Sequence, residues 1–297
     1  MRHPSLFKPV RRAVFVPAIL ASLLATGCAR IGFAIANTGV DASAISSVPF
    51  DPVHGLSLDV HRPVGGVGKA PVVVFFHGGS WRNGTRQDYR FAGRSLASAG
   101  ILAIVPDYRK APHVVFPAFV EDGARAVAWA RAHAAEYGGD PSRIYLMGHS
   151  SGAHIAAMLG ADARYLDTVG VRPRELAGVI GLSGPYDFLP IVDPDVAQAL
   201  GPESAWPASQ PVNFVDGDEP RFLLLQGTAD DLVRPRNAPS LARKLRDKGE
   251  PVELHMLDGM GHAGTLVGLV RDRSPVRRAV LGYITAPPVI AASAPLR

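Results

Sequence analysis

The sequence predicts an α/β fold with a mostly parallel central sheet, helices on both faces and a small cap excursion. Three observations carry this prediction. From residue 71 onward, short apolar runs alternate with helix-like segments, which is the pattern of parallel strands joined by helices. The run 71–76 is continuous and rich in β-branched residues, as a strand buried on both faces requires. Hydrophobic residues make up 47% of the 297-residue chain and charged residues 19%, which indicates a globular core.

Each predicted element has its own signal in the chain. Apolar runs predict strands at 71–76, 101–105, 144–147, 177–182, 221–226 and 252–257, whereas the alternation of 56–61 predicts a half-exposed strand. Helical patterns predict helices at 90–99, 119–136, 153–160, 237–248 and 275–284. Residues 185–220, rich in Pro, Asp and Gly, are predicted to form the small cap, and the tail 287–297 is predicted to be frayed.

The first 27 residues have the layout of a secretory signal. A basic start is followed by the apolar run 13–25 and by Thr26-Gly27-Cys28. The run is short for a membrane-spanning helix. Residues 24–28 resemble a bacterial lipobox, so we expect a lipidated Cys28 that anchors an exported protein to a membrane of the cell envelope. Plain secretion, an uncleaved anchor and an ordinary buried cysteine stay open. Residues 28–50 are then a tether, and 51–286 the main domain.

Once this signal is set aside, the net charge of the remaining chain is too small to indicate a class of binding partner. The formal charge is +5, but residues 1–27 hold four of the 31 Lys and Arg and no Asp or Glu, which leaves 27 against 26. A charge of about +1 gives no reason to expect a nucleic-acid partner. The single cysteine allows no internal disulfide. No Cys/His cluster has the spacing of a zinc site, so we expect neither metal nor cofactor.

The stretch Gly148-His149-Ser150-Ser151-Gly152 predicts a nucleophile elbow. It follows the apolar run 144–147 and precedes the helix-like run 153–160, which is the strand–turn–helix context that gives Gly-x-Ser-x-Gly its meaning. Ser150 would occupy a strained turn, and Gly148 and Gly152 would leave room for it because glycine has no Cβ. The backbone N–H of Ser151, at the start of the helix, would face developing negative charge.

A carboxylate and an imidazole follow later strands at the same predicted edge of the sheet. Asp230 comes after 221–226 and His262 after 252–257, so serine, acid and histidine appear in the chain order of α/β-hydrolase triads. A serine hydroxyl needs a base to remove its proton, and a buried carboxylate orients that base. The loop His77-Gly78-Gly79-Ser80 follows the strand 71–76 and offers the N–H groups of Gly79 and Ser80 to an oxyanion.

These motifs resemble the α/β-hydrolase esterases with an HGGxW oxyanion loop. That group is close to the hormone-sensitive-lipase-like esterases, the bacterial feruloyl-esterase-like proteins and the aryl formamidases. The match covers residues 72–263 and includes His77–Trp81, Asp107-Tyr108-Arg109, 148–152 and the run 226–233. Gln226 stands where the family usually has His, at a position that is not catalytic in the family. The resemblance implies the triad Ser150, Asp230 and His262 and places the pocket near Trp81, with His149 and Tyr186 as further pocket candidates.

Several alternatives remain at the level of sequence. Asp231 or, more remotely, Asp187 could be the acid; His77 would shape the oxyanion loop, and His149 could be a packing residue. We expect a serine hydrolase that cleaves small carboxylic esters through an acyl-enzyme. The rivals are an aryl formamidase or short-peptide amide hydrolase and, from another class, a surface-tethered binding protein on an inactive hydrolase scaffold.

Overall fold

The computed structural model describes residues 31–65 and 68–286. Its internal contacts divide the chain into two units, 1–38 and 39–297. In the first unit the described residues 31–36 are helical. The predicted signal, Cys28 and the tail 287–297 lie outside the described residues. Within the described ranges, every helix is too short or too polar to cross a membrane.

Eight strands of the second unit form one sheet. They are β1 (Ile45–Asp51), β2 (Leu56–His61), β3 (Ala70–Phe76), β4 (Leu102–Pro106), β5 (Gly139–His149), β6 (Gly178–Leu182), β7 (Phe222–Gly227) and β8 (Val252–Leu257). Their spatial order is β1-β2-β4-β3-β5-β6-β7-β8. The pairs β1–β2 and β2–β4 are antiparallel, and every pair from β4 through β8 is parallel. The predicted mostly parallel sheet is confirmed.

The helices of this unit connect successive strands or close the chain. They are α1 (Arg90–Ala97), α2 (Ala118–His133), α3 (Ser151–Ala161), α4 (Ala163–Asp167), α5 (Pro194–Leu200), α6 (Asn237–Asp247), α7 (His262–Val270) and α8 (Pro275–Thr285). The segment predicted as a cap contains α5 and the 3-10 turns Glu203–Ser209 and Pro211–Asn213.

The core lies against the central strands. Residues 72–76 of β3 and the segment Leu102–Pro106 of β4 are all buried, as their continuous apolar sequence requires. Helix α3, which is composed of small and apolar residues, is buried along its whole length. Such a helix fits between the sheet and its neighbours because its side chains occupy little space.

Two expectations at the start of this domain are corrected. The segment assigned to a tether, 28–50, already contains most of β1, whose residues pair with β2 from Ile45 onward. Strand β2 is buried rather than half-exposed: Leu58 and Val60 belong to the core, and Asp59 between them forms ion pairs with Arg86 and Arg90. The charged residue in this alternating pattern predicted a solvent-exposed face, but arginines that are distant in the sequence neutralise Asp59 in the fold.

Candidate active site

Ser150 lies in a strained turn between β5 and α3. Its backbone has φ 57° and ψ −125°, a conformation that costs a non-glycine residue of the order of 1–3 kcal/mol. The turn is held by surrounding hydrogen bonds: the Ser150 N–H donates to Leu182 O at 2.9 Å, and Ser150 O accepts from the N–H of His154 at 3.1 Å. The serine is therefore presented at the carboxyl end of β5, where ligands bind to parallel sheets.

Two glycines make this turn possible. A Cβ on Gly152 would lie 2.0 Å from the carbonyl oxygen of Phe76, and a Cβ on Gly148 would lie 2.2 Å from the carbonyl carbon of Gly152. Both distances are far inside van der Waals contact, and both neighbours are backbone atoms that cannot rotate away. Strand β3, the elbow and α3 therefore approach one another through space that only glycine leaves open.

His262 and Asp230 form a hydrogen-bonded pair. His262 Nδ1 lies 2.9 Å from Asp230 Oδ2, and since a carboxylate only accepts, Nδ1 carries the proton. The other carboxylate oxygen, Oδ1, accepts from the N–H groups of Leu232 at 3.1 Å and Val233 at 2.8 Å. Burial alone would raise the pKa of the Asp230 carboxyl, but the hydrogen bonds from His262 and Val233 outweigh it and hold that pKa below its ordinary value.

The two other candidate acids are placed elsewhere. Asp231 is exposed, whereas Asp230 is 3% exposed. The carboxylate of Asp187 accepts a hydrogen bond from the hydroxyl of Ser240, a residue of α6. Among these three carboxylates, the described hydrogen bonds join only Asp230 to the His262 ring.

His149 contacts His262 through its ring and through a hydrogen bond. Its ring lies 4.8 Å from the His262 ring between centroids, and its Nε2–H donates to the carbonyl oxygen of His262 at 3.2 Å. Thr265 donates to the same oxygen at 3.3 Å. Burial lowers the pKa of His149 to about 3, so the ring stays neutral beside His262. His149 therefore packs against His262 instead of lining the cavity, which corrects its place among the pocket candidates.

Gly79 and Ser80 lie in a tightly folded loop after β3. Gly79, Ser80 and Trp81 all have positive φ, at 133°, 54° and 57°. The carbonyl oxygen of Gly79 accepts from the N–H groups of Arg82 at 3.0 Å and Asn83 at 2.8 Å. This turns the peptide carbonyls into the loop and leaves the N–H groups of Gly79 and Ser80 without a partner in the described part of the chain. Ser80 and Ser151 line the same cavity as Ser150.

Buried aromatic and charged residues support this loop. His77 Nδ1 donates to Gly78 O at 2.9 Å, and its ring stacks on Tyr108 with 4.3 Å between centroids. The Tyr108 hydroxyl donates to His77 O at 2.9 Å. Arg86 forms ion pairs with Asp107 and Asp59. The segment 107–109 thus packs behind the loop, and His77 has the shaping position that the sequence indicated for it.

A cavity of about 270 Å³ opens beside Ser150. Trp81, from the loop after β3, is one wall, and its indole lies 6.2 Å from the ring of Phe188, which belongs to the cap. The remaining apolar lining comes from the cap and from the loop after Asp230: Pro185, Pro190, Ile191, Val192, Val196, Leu232 and Val233. Polar and charged residues complete the lining: Ser80, Ser151, Asp193, Arg234, Arg236 and Asn237. The cavity beside Ser150 therefore combines apolar walls with a few polar groups, as small-molecule sites usually do.

Tyr186, a predicted pocket residue, does not line this cavity. Its ring is buried under the loop after β6, where a Cβ on Gly181 would lie 1.9 Å from its hydroxyl. Its N–H donates to the Asn237 side chain at 2.8 Å. The family resemblance made Tyr186 a pocket candidate, but the chain turns its ring inward and Phe188 lines the cavity in its place.

Ser150 and the His262–Asp230 pair are brought to one region without a direct hydrogen bond between them. In the described ranges no hydrogen bond joins the Ser150 hydroxyl to the His262 ring. His149, which precedes Ser150 in the chain, contacts His262 and so connects the two parts of the site. In unliganded enzymes the serine–histidine contact is often long and tightens only when substrate binds.

Asp51, His54 and Asp122 form the one cluster of potential metal ligands among the described residues. Two arginines already neutralise it. Arg125 forms ion pairs with both carboxylates, and Arg109 pairs with Asp122 at 2.8 Å. His54 Nδ1 lies 2.7 Å from Asp51 Oδ2. The cluster is an ion-pair network that ties α2 to the start of the domain, and its arginines oppose cation binding.

Known proteins with similar sequences and structures agree with this fold. The BD-FAE family model matches residues 58–245, more than half of the chain. A probable isoprenylcysteine alpha-carbonyl methylesterase from Oryza sativa subsp. japonica is 32% identical over 69% of this chain and 53% of its own length. Esterase LipQ from Mycobacterium tuberculosis (strain ATCC 25618 / H37Rv) is 30% identical over 78% of this chain and 60% of its own length.

The solved structure of a truncated carbohydrate esterase from gut microbiota superposes with a TM-score of 0.70 at 22% identity, covering 82% of this chain and 97% of that one. That likeness concerns the fold. The chain spans only 53% and 60% of the two curated relatives. The predicted resemblance to α/β-hydrolase esterases is confirmed: the chain belongs to the BD-FAE family and has the α/β-hydrolase fold.

Proposed function

We propose that this protein is a serine hydrolase that cleaves carboxylic esters through an acyl-enzyme intermediate. The observation that carries the proposal is the hydrogen bond between His262 Nδ1 and Asp230 Oδ2 at 2.9 Å, in a site whose serine is held in a strained elbow. The bond fixes the tautomer in which His262 Nε2 has a free lone pair. A base in that tautomer can remove the proton of a serine hydroxyl during attack.

The reaction follows from these groups. Ser150 Oγ attacks the ester carbonyl while His262 Nε2 takes its proton, and Asp230 stabilises the imidazolium that forms. His262 then returns the proton to the alkoxide, the alcohol leaves and an acyl-enzyme remains. A water molecule, deprotonated by His262, attacks the acyl carbonyl. Collapse of the second tetrahedral intermediate releases the carboxylic acid and restores the Ser150 hydroxyl.

The oxyanion of each tetrahedral intermediate would be bound by backbone donors. Ser151 is the first residue of α3, so its N–H has no partner within the helix. The N–H groups of Gly79 and Ser80 complete the set from the opposite loop. Donors of this kind lower the barrier because they are fixed before charge develops. The start of α3 adds the positive end of a helix dipole.

The apolar part of the cavity suits an acyl or alcohol group of modest size. Trp81 and Phe188 offer flat surfaces, and Ile191, Val196 and Val233 extend the apolar wall, whereas Asp193, Arg234 and Arg236 add charged groups to the lining. The curated relatives, named as a methylesterase and an esterase, support an ester bond as the target. We therefore propose small carboxylic esters as the substrate class.

A fluorophosphonate probe combined with ester turnover tests this proposal. Wild type should hydrolyse p-nitrophenyl acetate and carry the probe on Ser150. Ser150→Ala should lose both, whereas the matched control Ser151→Ala should keep both within roughly tenfold because its backbone donor survives. Faster turnover of N-formylkynurenine than of any p-nitrophenyl ester would replace the esterase with a formamidase. A labelled Ser151 would overturn the choice of nucleophile.

We further propose that the protein is exported and held to a membrane by a lipid on Cys28. Support comes from the sequence of residues 1–28 alone. Wild type should fractionate with membranes and Cys28→Ser should lose diacylglyceryl labelling. An unmodified Cys28, or an intact Met1, in the mass spectrum of the mature protein would remove this proposal.

A further inference from the structure

Gln226 is a fully buried polar residue beside the acid. It is the penultimate residue of β7 and has 0% exposure. Its Nε2 lies 3.0 Å from Asp230 Oδ2 and 3.2 Å from the carbonyl oxygen of Val233. Asp230 Oδ2 is the same atom that accepts from His262. One amide group thus contacts both the catalytic carboxylate and the loop that lines the cavity.

The orientation of this amide is determined by its surroundings. Besides Asp230 and Val233, the carbonyl oxygen of Gly227 lies 3.4 Å from Nε2, so all three neighbours are acceptors. Rotating the amide would set its oxygen against a carboxylate and two carbonyls. As it stands, the amide oxygen Oε1 is buried without a hydrogen-bond partner in the described part of the chain. An unpaired buried acceptor is costly, so the donations from Nε2 must be strong enough to retain the residue.

We propose that Gln226 is a positioning residue for the catalytic acid. Its amide ties Asp230 Oδ2 to the carbonyl of Val233 and so holds the carboxylate toward His262. The inference rests on the proposed function, in which Asp230 orients the base. Among the residues that the structure describes, the backbone N–H groups bonded to this carboxylate hold its other oxygen, Oδ1, and Gln226 holds the oxygen that faces His262.

The amide is suited to this task because one nitrogen carries two hydrogens. A neutral imidazole at this position would have a single N–H to donate, so it would serve Asp230 or Val233 but not both. The glutamine is therefore a specific solution in this chain.

Kinetics of three variants test the proposal. Gln226→Leu removes both donated bonds at similar volume and should lower kcat by ~10- to 10²-fold with little change in KM, since hydrogen bonds to charged groups have about this value. Gln226→His keeps one donor and should lie between wild type and the leucine variant. Gln226→Glu keeps the shape, but it donates to Asp230 only while the new carboxyl group is protonated.

The glutamate variant therefore has a distinctive pH profile. In wild type, kcat/KM should stay level on the alkaline side of its pH profile. In Gln226→Glu it should rise and then fall, because ionisation of the new carboxyl group sets two negative charges side by side. A residue that merely fills space would lower stability without adding this descending limb. A level alkaline profile with wild-type kcat in Gln226→Glu would overturn the proposal.

A spectroscopic readout separates this inference from the proposed function. The NMR signal of the His262 Nδ1 proton needs no turnover, and it should shift upfield and broaden in Gln226→Leu. Gln210→Leu is the matched control: Gln210 is equally buried, but its side chain contacts Phe188, Trp206 and Ser209 and not Asp230. An unshifted signal in a folded Gln226→Leu protein would sink the inference. Absence of ester hydrolysis with the shift present would sink only the proposed function.

Discussion

The two halves of the candidate site are held by different kinds of force. The side of the proposed nucleophile consists of adjacent residues, 148–152, and its geometry comes from backbone strain and from glycines whose surroundings leave no room for a Cβ. The proposed acid–base side joins Asp230 and His262, which are 32 residues apart. It is held by hydrogen bonds from side chains and loop N–H groups.

This difference predicts how substitutions should affect each half of the site. At the elbow, a single added Cβ should already destabilise the fold, because an overlap with backbone atoms cannot be relieved by rotating a side chain. The loss of one hydrogen bond around Asp230 and His262 should have a smaller, partial effect, since each donor contributes a share of the stabilisation and neighbouring donors can compensate. We therefore expect substitutions on the acid–base side to change the rate in a folded protein, and glycine substitutions at the elbow to change stability as well.

The largest effect is expected from Asp230, the proposed catalytic acid. Asp230→Asn should lower kcat by ~10⁴-fold, because an amide facing His262 stabilises the wrong imidazole tautomer. Asp231→Asn, at the exposed neighbouring position, should lose less than ~10-fold. Steady-state kinetics on p-nitrophenyl acetate measure both, and thermal unfolding checks that the folds are intact. A reversed ranking would place the acid at Asp231 and remove the basis of the comparison.

A single methyl group tests the elbow side. Gly152→Ala would put a Cβ 2.0 Å from the Phe76 carbonyl oxygen, and such overpacking typically costs about 1–3 kcal/mol of the free energy of unfolding. The control is Gly282→Ala, also in a helix, where nothing lies within 4 Å of the new Cβ. That change should stabilise the protein by about 0.5–1 kcal/mol. Urea unfolding measures both, and equal stabilities would show that the elbow tolerates expansion.

The smallest effect concerns one side-chain bond that ties the elbow helix to the cap. His154 on α3 is buried, and its Nε2–H donates to Ser209 O at 2.7 Å. Burial lowers its pKa from 6.5 to about 4. Between these pH values the unfolded chain binds a proton that the folded chain excludes, so this group makes stability fall as pH falls from 6.5 toward 4.

His154→Gln removes that ionisable group. The decline of the free energy of unfolding below pH 6.5 should therefore become less steep, by about 1 kcal/mol per pH unit. Urea titrations at several pH values between 4.5 and 6.5 provide the slope. An unchanged slope would mean that His154 takes up a proton in the folded protein, and that the elbow helix is less tightly covered than the structure indicates.

Much of the fold was determined by sequence patterns that act locally. Strands β3 and β4 are continuous apolar runs, which have no stable place except between two layers of helices. The elbow was recognisable because steric demands at Ser150 restrict residues 148 and 152 directly. Asp230 and His262 were identifiable as candidates because parallel strands deliver the residues after their ends to one edge of the sheet.

Other features were decided only when distant segments came together. Arg86 and Arg90 bury Asp59, and so turn a strand predicted to be half-exposed into an interior one. The pocket wall contains Phe188 and Val196 where Tyr186 and His149 were expected, because the direction of a side chain after a strand end depends on how the cap folds over it. The contact of Gln226 with Asp230 likewise depends on the loop between them folding back. Short-range sterics can be read from neighbouring residues, whereas charge pairing and pocket lining depend on which segments of the chain become neighbours in space.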